Sequence, residues 1–211
     1  MAASQSNGRR YVVLGSSPVP HPAPLDGADL ICVNSSGFVA RDLGLPEPEL
    51  TVLAGFKLIY PNRQEDRDAL RGLKTKCLLL ITYLLPISLE EAEELLEKLG
   101  YRYDELKTID FADRAHVIRS VTGTGLGEAD APENRISNGV FAACYALYHG
   151  ASEVILSGIS LTLDGHFYMT RTRPRRHITT DTEALIAMRT RGWPVKTSEA
   201  DVSQATGIPL V

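Results

Sequence analysis

The chain has 211 residues, 44% apolar and 23% charged, which suits one domain with its own core and, at most, a small lid. A net charge of −4 argues against a general nucleic-acid binder. No apolar run is long enough to span a membrane, and the polar Met1 to Arg10 lacks the apolar core of a secretory signal.

Residues 1–10 read as a disordered tail, and 11–211 as a single α/β domain. Tyr11 to Leu14 is a short apolar run that predicts a first strand, ending in Gly15-Ser16-Ser17-Pro18. Gly15 lets a phosphate or ribose approach the backbone, and the serines offer hydroxyls. The segment is neither a Walker loop nor a Gly-X-Gly-X-X-Gly fingerprint. The proline-rich stretch Pro18 to Pro24 excludes a helix. Asp29 to Val33 predicts a second strand, with Asn34 in the turn after it, and Leu50 to Ala54 a third, followed by Gly55. Asn62 to Arg71 reads as a polar amphipathic helix, and the apolar Lys76 to Tyr83 as a central strand. Ser88 and Glu91 form a capping box that opens a helix to about Leu99, stopped by Gly100. Phe111 to Arg119 fits a strand or a short helix, and Thr122 to Pro132 a loop.

The stretch from Arg135 to Asp181 organises the chain. Ser137 is placed to cap a helix whose first turn holds Asn138 and Gly139, where outward N–H groups attract anions. Val140, Phe141, Cys144, Leu147 and Tyr148 give that helix an apolar face, and Gly150 ends it. Glu153 to Leu156 is a buried strand, with Gly158 at its ligand-facing end. A loop over about 161–177, long enough to be an active-site lid, holds Asp164-Gly165-His166-Phe167-Tyr168 and the arginines Arg171, Arg173, Arg175 and Arg176. Arginines here read either as a solvated basic loop or as capture of an anion: a phosphate, a sugar carboxylate or a lipid-linked acceptor. Thr180 and Glu183 form a second capping box, which starts a helix near Asp181 and leaves His177 in the loop before it. The positive end of that helix would keep the imidazole neutral, as a general base requires.

Ser-Asn-Gly before a helix, Ile-Leu-Ser-Gly-Ile after it, Asp-Gly-X-X-Tyr and a lone histidine before the next helix resemble the bacterial sialyltransferases of glycosyltransferase family 42, and more distantly the animal-type ones. The dense resemblance covers roughly a quarter of the chain, with a weaker patch near the N-terminus. It implies a Rossmann-like, mostly parallel sheet flanked by helices, of the GT-A-variant type. It also implies inverting, metal-independent transfer of a sugar acid from a CMP-activated donor to a glycan or glycolipid hydroxyl, in polysaccharide or lipopolysaccharide assembly. By this resemblance His177 is the catalytic base and Tyr168 binds the phosphate. Ser137, Asn138 and Gly139 meet phosphate and ribose, while Gly15, Ser16, Asn34 and Gly158 shape the nucleotide pocket. Arg173, Arg175 and Arg176 are candidates for the donor carboxylate or the acceptor.

Two positions depart from the pattern: Thr162 stands where the bacterial enzymes have a second phosphate tyrosine, and Ser160 replaces an aspartate. They leave the donor open among sialic acid, Kdo and another sugar acid, and they keep alive a CMP-binding protein without transfer activity. An unrelated hydrolase needs an activated nucleophile, but there is no Gly-X-Ser-X-Gly elbow and Cys144 sits mid-helix on an apolar face. Cys32, Cys77 and Cys144 lack metal-ligand spacing and suit reduced thiols in a cytoplasmic protein, with peripheral membrane contact and self-association both compatible.

Overall fold

The structure, a computed structural model, describes residues 8–19, 22–83, 85, 87–126, 135–170 and 174–211. Seven parallel strands form one sheet in the order β5-β4-β3-β2-β1-β6-β7. These are β1 (Arg10–Leu14), β2 (Asp29–Val33), β3 (Leu50–Ala54), β4 (Lys74–Ile81), β5 (Arg102–Ile109), β6 (Glu153–Ser157) and β7 (Val195–Thr197). The helices are α1 (Gly37–Asp42), α2 (Phe56–Ile59), α3 (Gln64–Leu70), α4 (Leu89–Lys98), α5 (Phe111–Thr122), α6 (Asn138–Tyr148), α7 (Ile178–Thr190) and α8 (Ala200–Thr206).

The strands inside the edge strand β5 are buried on both faces, so their alternation divides the core into two layers. Val13, Ile31, Val52, Leu79, Val154 and Leu156 face α5, α6 and α7. On the other face Leu53, Leu78 and Leu80 pack with Leu58, Leu70 and Leu96 from α2, α3 and α4, and Leu14, Leu30 and Cys32 pack with α1. Helix α6 goes beyond its expected apolar face. Eight of its residues are buried, and small ones (Gly139, Ala142, Ala143, Ala146) let it lie close to the sheet.

Several expectations change. The strand from Lys74 is interior but not central, because β5 pairs outside it. β5, Arg-Tyr-Asp-Glu-Leu-Lys-Thr-Ile, was not predicted, since an edge strand half open to solvent carries no apolar run. Phe111 to Arg119 is helical: Asp110 accepts from Asp113 N at 2.8 Å at its start, and Gly123 ends it at φ 70°. The capping box at Thr180 and Glu183 does not form, and α7 starts at Ile178 with His177 at its N-cap. Thr180 Oγ1 instead donates 2.7 Å to the carbonyl of Arg135, a tertiary contact that overrides the local motif. Arg10 belongs to β1, while residues 1–7 of the expected tail and 127–132 of the expected loop lie outside the described residues.

The chain steps outward from β1 to β5 and then returns to place β6 on β1's other side, so the strand order reverses between β1 and β6. Here the two following turns touch: Gly15 N donates to Ser157 O at 2.8 Å, and Ser17 N to Gly158 O at 2.9 Å. A Cβ on Gly15 would stand 2.2 Å from the Gly158 carbonyl oxygen, and Gly158 itself has φ +64°. Gly15 is thus required by this crossing of two backbones. Gly15→Ala is expected to lower stability by about 2 kcal/mol or more. The control Gly44→Ala, at φ +67° with open space around it, should cost about 1 kcal/mol. Urea denaturation midpoints measure both.

Candidate functional site

A cleft opens at the C-terminal ends of the strands, where open parallel sheets place ligands. It comprises two cavities of about 620 and 370 Å³. Arg63, Ser137, His166, Arg176 and His177 line both. Lys57, Arg114 and Arg135 add further cationic side chains to the larger cavity, and Arg175 adds one to the smaller. The cleft therefore favours anions strongly, although the chain as a whole is acidic.

The N-terminus of α6 is its structural centre. Ser137 caps the helix, its Oγ accepting from Val140 N at 3.3 Å. Asn34, just after β2, has φ 54°, a left-handed conformation that asparagine tolerates better than most residues. Its Oδ1 accepts from Ala54 N (3.1 Å) and from Asn138 Nδ2 (3.2 Å), joining the end of β3 to the start of α6. Since the backbone N–H of Ala54 can only donate, the orientation of the Asn34 amide is fixed, and the donors on its nitrogen are what it can offer a ligand. Behind Asn138 the buried Arg114 donates to Ile136 O at 2.9 Å.

Asp181, fully buried in the first turn of α7, accepts from Ser137 N at 2.7 Å and pairs with Arg175 at 3.2 Å. Burial pushes its carboxyl up, against the pull of Arg175 and Ser137. Four residues before it, His177 holds its ring by a 2.7 Å contact from Nδ1 to the carbonyl oxygen of Arg135. A carbonyl only accepts, so the proton lies on Nδ1, and in the neutral ring Nε2 carries the lone pair.

The opposite wall rests on Lys57 and Asp66, a buried ion pair that Arg63 joins at 3.4 Å. Tyr168 donates to Asp66 Oδ1 at 2.9 Å. Burial raises the Tyr168 hydroxyl pKa, and the Asp66 carboxylate adds to it. For Asp66 burial alone would raise the pKa, but Lys57, Tyr168 and Arg63 together hold it below the usual carboxylate value. His166 stacks on Tyr168 with ring centroids 5.5 Å apart, and its Nδ1 lies 2.7 Å from Ser16 Oγ.

Of the residues singled out in the sequence, Asn34, Ser137, Asn138, Arg175, Arg176 and His177 line the cleft. Gly15, Ser16, Gly139, Gly158 and Tyr168 stand behind it and do not line either cavity. Gly139 is pressed on Ile159, the Gly158 N–H goes to Glu199, and the Tyr168 hydroxyl is taken by Asp66. Arg173, with Arg171, lies outside the described residues. The two departures meet at one carboxylate: Asp201 accepts from Ser160 Oγ at 2.7 Å and from Thr162 Oγ1 at 2.9 Å. Burial pushes both Cys32 and Cys144 up to about 12, so neither thiol is a nucleophile at neutral pH. Among the described residues no cluster of three His, Cys, Asp or Glu side chains is placed to hold a metal ion, and no helix is long and apolar enough to cross a membrane.

Sequence reasoning missed Lys57, Arg63, Asp66, Arg114 and Arg135 and gave His166 no role. Lys57 and Arg114 each interrupt a helical apolar pattern, a signal that marks a buried charge only once the fold is known.

No family model and no curated protein matches the sequence. The fold is similar to that of the monofunctional α-2,3-sialyltransferase Cst-I from Campylobacter jejuni, with a TM-score of 0.58 and 14% identity over 100% of this chain and 82% of that one. It is also similar to CstII from the same organism in complex with the substrate analogue CMP-3FNeuAc, at 0.57 and 14% over 96% of this chain and 86% of that one. CstII in complex with a trisaccharide acceptor and CMP gives 0.55 and 13%, with the same coverage. At these identities the similarity establishes the fold: one α/β domain with a seven-stranded parallel sheet.

Asp66→Asn removes the carboxylate paired with the buried Lys57, and is expected to cost about 3 kcal/mol or more at pH 7. Because the Asp66 pKa is depressed in the folded state, its stabilisation is present above the unfolded carboxyl value and lost as pH falls through the folded one. The gap between wild type and variant should narrow below about pH 4, which urea unfolding at pH 7 and pH 3 would measure.

Proposed function

We propose that the chain is a glycosyltransferase that moves a sugar acid, of the sialic acid or Kdo type, from a CMP-activated donor to a glycan or glycolipid hydroxyl, with inversion and without a metal ion. The observation that carries this reading is His177 in the cationic cleft, its Nδ1 fixed on the Arg135 carbonyl so that Nε2 is the basic nitrogen. The fold likeness supports it, since the similar structures include complexes with CMP, a CMP-sugar analogue and an acceptor. The free thiols suit a cytoplasmic location.

In this reading the acceptor oxygen forms a bond to the anomeric carbon as its proton passes to Nε2 of His177. The bond from that carbon to the phosphate oxygen breaks, and CMP leaves with the electron pair. Arg63 and Arg176 supply positive charge to the departing phosphate, and the donors of Asn34 face the nucleotide. Tyr168 acts through Asp66 and His166, as a positioning residue.

A second reading, a CMP-binding protein without transfer, is favoured by one observation: the Thr162 hydroxyl is engaged by Asp201, so this position offers no hydroxyl to the phosphate. Calorimetric titration with CMP, against UMP and AMP, tests what the two readings share. Selective CMP binding is expected, weakened about tenfold or more in Asn34→Ala. Failure to bind any cytidine nucleotide rejects both. CMP release from CMP-sialic acid and CMP-Kdo then separates them. Transfer predicts release that His177→Ala slows by about 10²–10⁴-fold, with CMP affinity retained and no effect of a chelator. Binding without release of CMP from either donor leaves the second reading.

A further inference from the structure

Arg114 is a buried cation, 3% exposed, that forms no ion pair among the described residues. Its contacts are a hydrogen bond to Ile136 O at 2.9 Å, a long one to Asn138 Oδ1 at 3.5 Å, and the rings of Phe141 at 4.7 Å and Tyr83 at 6.0 Å. Its buried Nε–H has no hydrogen-bond partner among the described residues. Burial disfavours its charged form.

An uncompensated buried charge is costly, and ring faces return only part of that cost. A bond to one carbonyl does not require a guanidinium. Arg114 also lines the larger cavity, beneath the first turn of α6, where the N–H groups of Asn138 and Gly139 have no intrahelical acceptor. A side chain with one fork engaged and Nε–H free, beside a helix N-terminus in the same cavity, is built to receive an oxyanion.

We propose that Arg114 binds an oxyanion of the ligand on the floor of the larger cavity, either the phosphate or the carboxylate of the activated sugar acid. The identity of those two groups rests on the function proposed above; the oxyanion site does not. Calorimetry on wild type, Arg114→Met and Arg114→Lys with cytidine, CMP and CMP-Kdo tests it. If the group is the phosphate, Arg114→Met weakens CMP about tenfold or more and leaves cytidine unchanged. If it is the carboxylate, CMP is unchanged and CMP-Kdo loses that factor. Arg114→Lys keeps the charge without the fork and falls between. The melting temperature supplies the control: removing an uncompensated buried charge should leave it unchanged or raise it. A lower melting temperature with all three affinities intact would make Arg114 a structural residue and overturn the proposal. If wild type binds no cytidine nucleotide, the nucleotide reading fails, and titration of wild type and Arg114→Met with inorganic phosphate and acetate decides the oxyanion site alone: equal responses overturn it.

Discussion

The carboxylate of Asp181 holds the site together. It lies in the first turn of α7, takes the N–H of Ser137 at the start of α6, and pairs with Arg175 from the loop after β6. The start of α6, 44 residues earlier, and the loop just before α7 converge on one fully buried group. Its neighbours in α7 complete the arrangement, since His177 and Thr180 both bond the carbonyl of Arg135, two residues before Ser137. The histidine ring is therefore fixed by the same junction that fixes the helix cap. Loss of Asp181 would free the loop, the cap and the ring together, whereas a surface carboxylate at a helix start would contribute only a local dipole interaction.

The charge on the cleft wall follows a different logic from charge on the surface. Elsewhere the chain balances its ions in exposed pairs, such as Arg10 with Glu153 and Lys76 with Glu49, each worth little. Around the cleft, Lys57 and Arg63 share Asp66, and Arg175 uses Asp181. Among the described residues, Arg114 pairs with no carboxylate, and the buried Nε atoms of Arg63, Arg114 and Arg175 have no hydrogen-bond partner. These are unmet donors in a protein whose remaining buried polar groups are largely satisfied. An arrangement that is unfavourable for the empty protein becomes favourable once an anion enters, which ties the cost in stability to binding.

Where periodicity and capping act locally, the sequence was legible. β2, β3 and α4 begin and end where apolar runs and the Ser88 capping box place them. The Ser137 cap, the cleft-lining Asn34 and the position of His177 beside a helix start could be read for the same reason, helped by a family resemblance. β5 could not, because an edge strand is patterned like a loop. Nor could the helix start at Ile178, because the hydroxyl of Thr180 found a better partner across the fold. Lys57, Asp66 and Arg114 stayed hidden for a more general reason. A charge within an apolar helix is unremarkable in sequence, and its meaning depends on which distant side chain meets it.

Tyr168 and Thr162, both singled out by the resemblance, are engaged within the fold. The tyrosine's hydroxyl supports Asp66 and its ring supports His166. The threonine, with Ser160, is bound to Asp201 and closes a turn. Hydroxyls that could have met a phosphate are thus committed to the scaffold. What faces the cavities instead is guanidinium, imidazole and the start of α6. A guanidinium stabilises a departing phosphate through full charge and a planar fork, which a hydroxyl lacks. On the proposed reading, the cleft can do without those hydroxyl donors and bind an activated, anionic sugar through its buried cations.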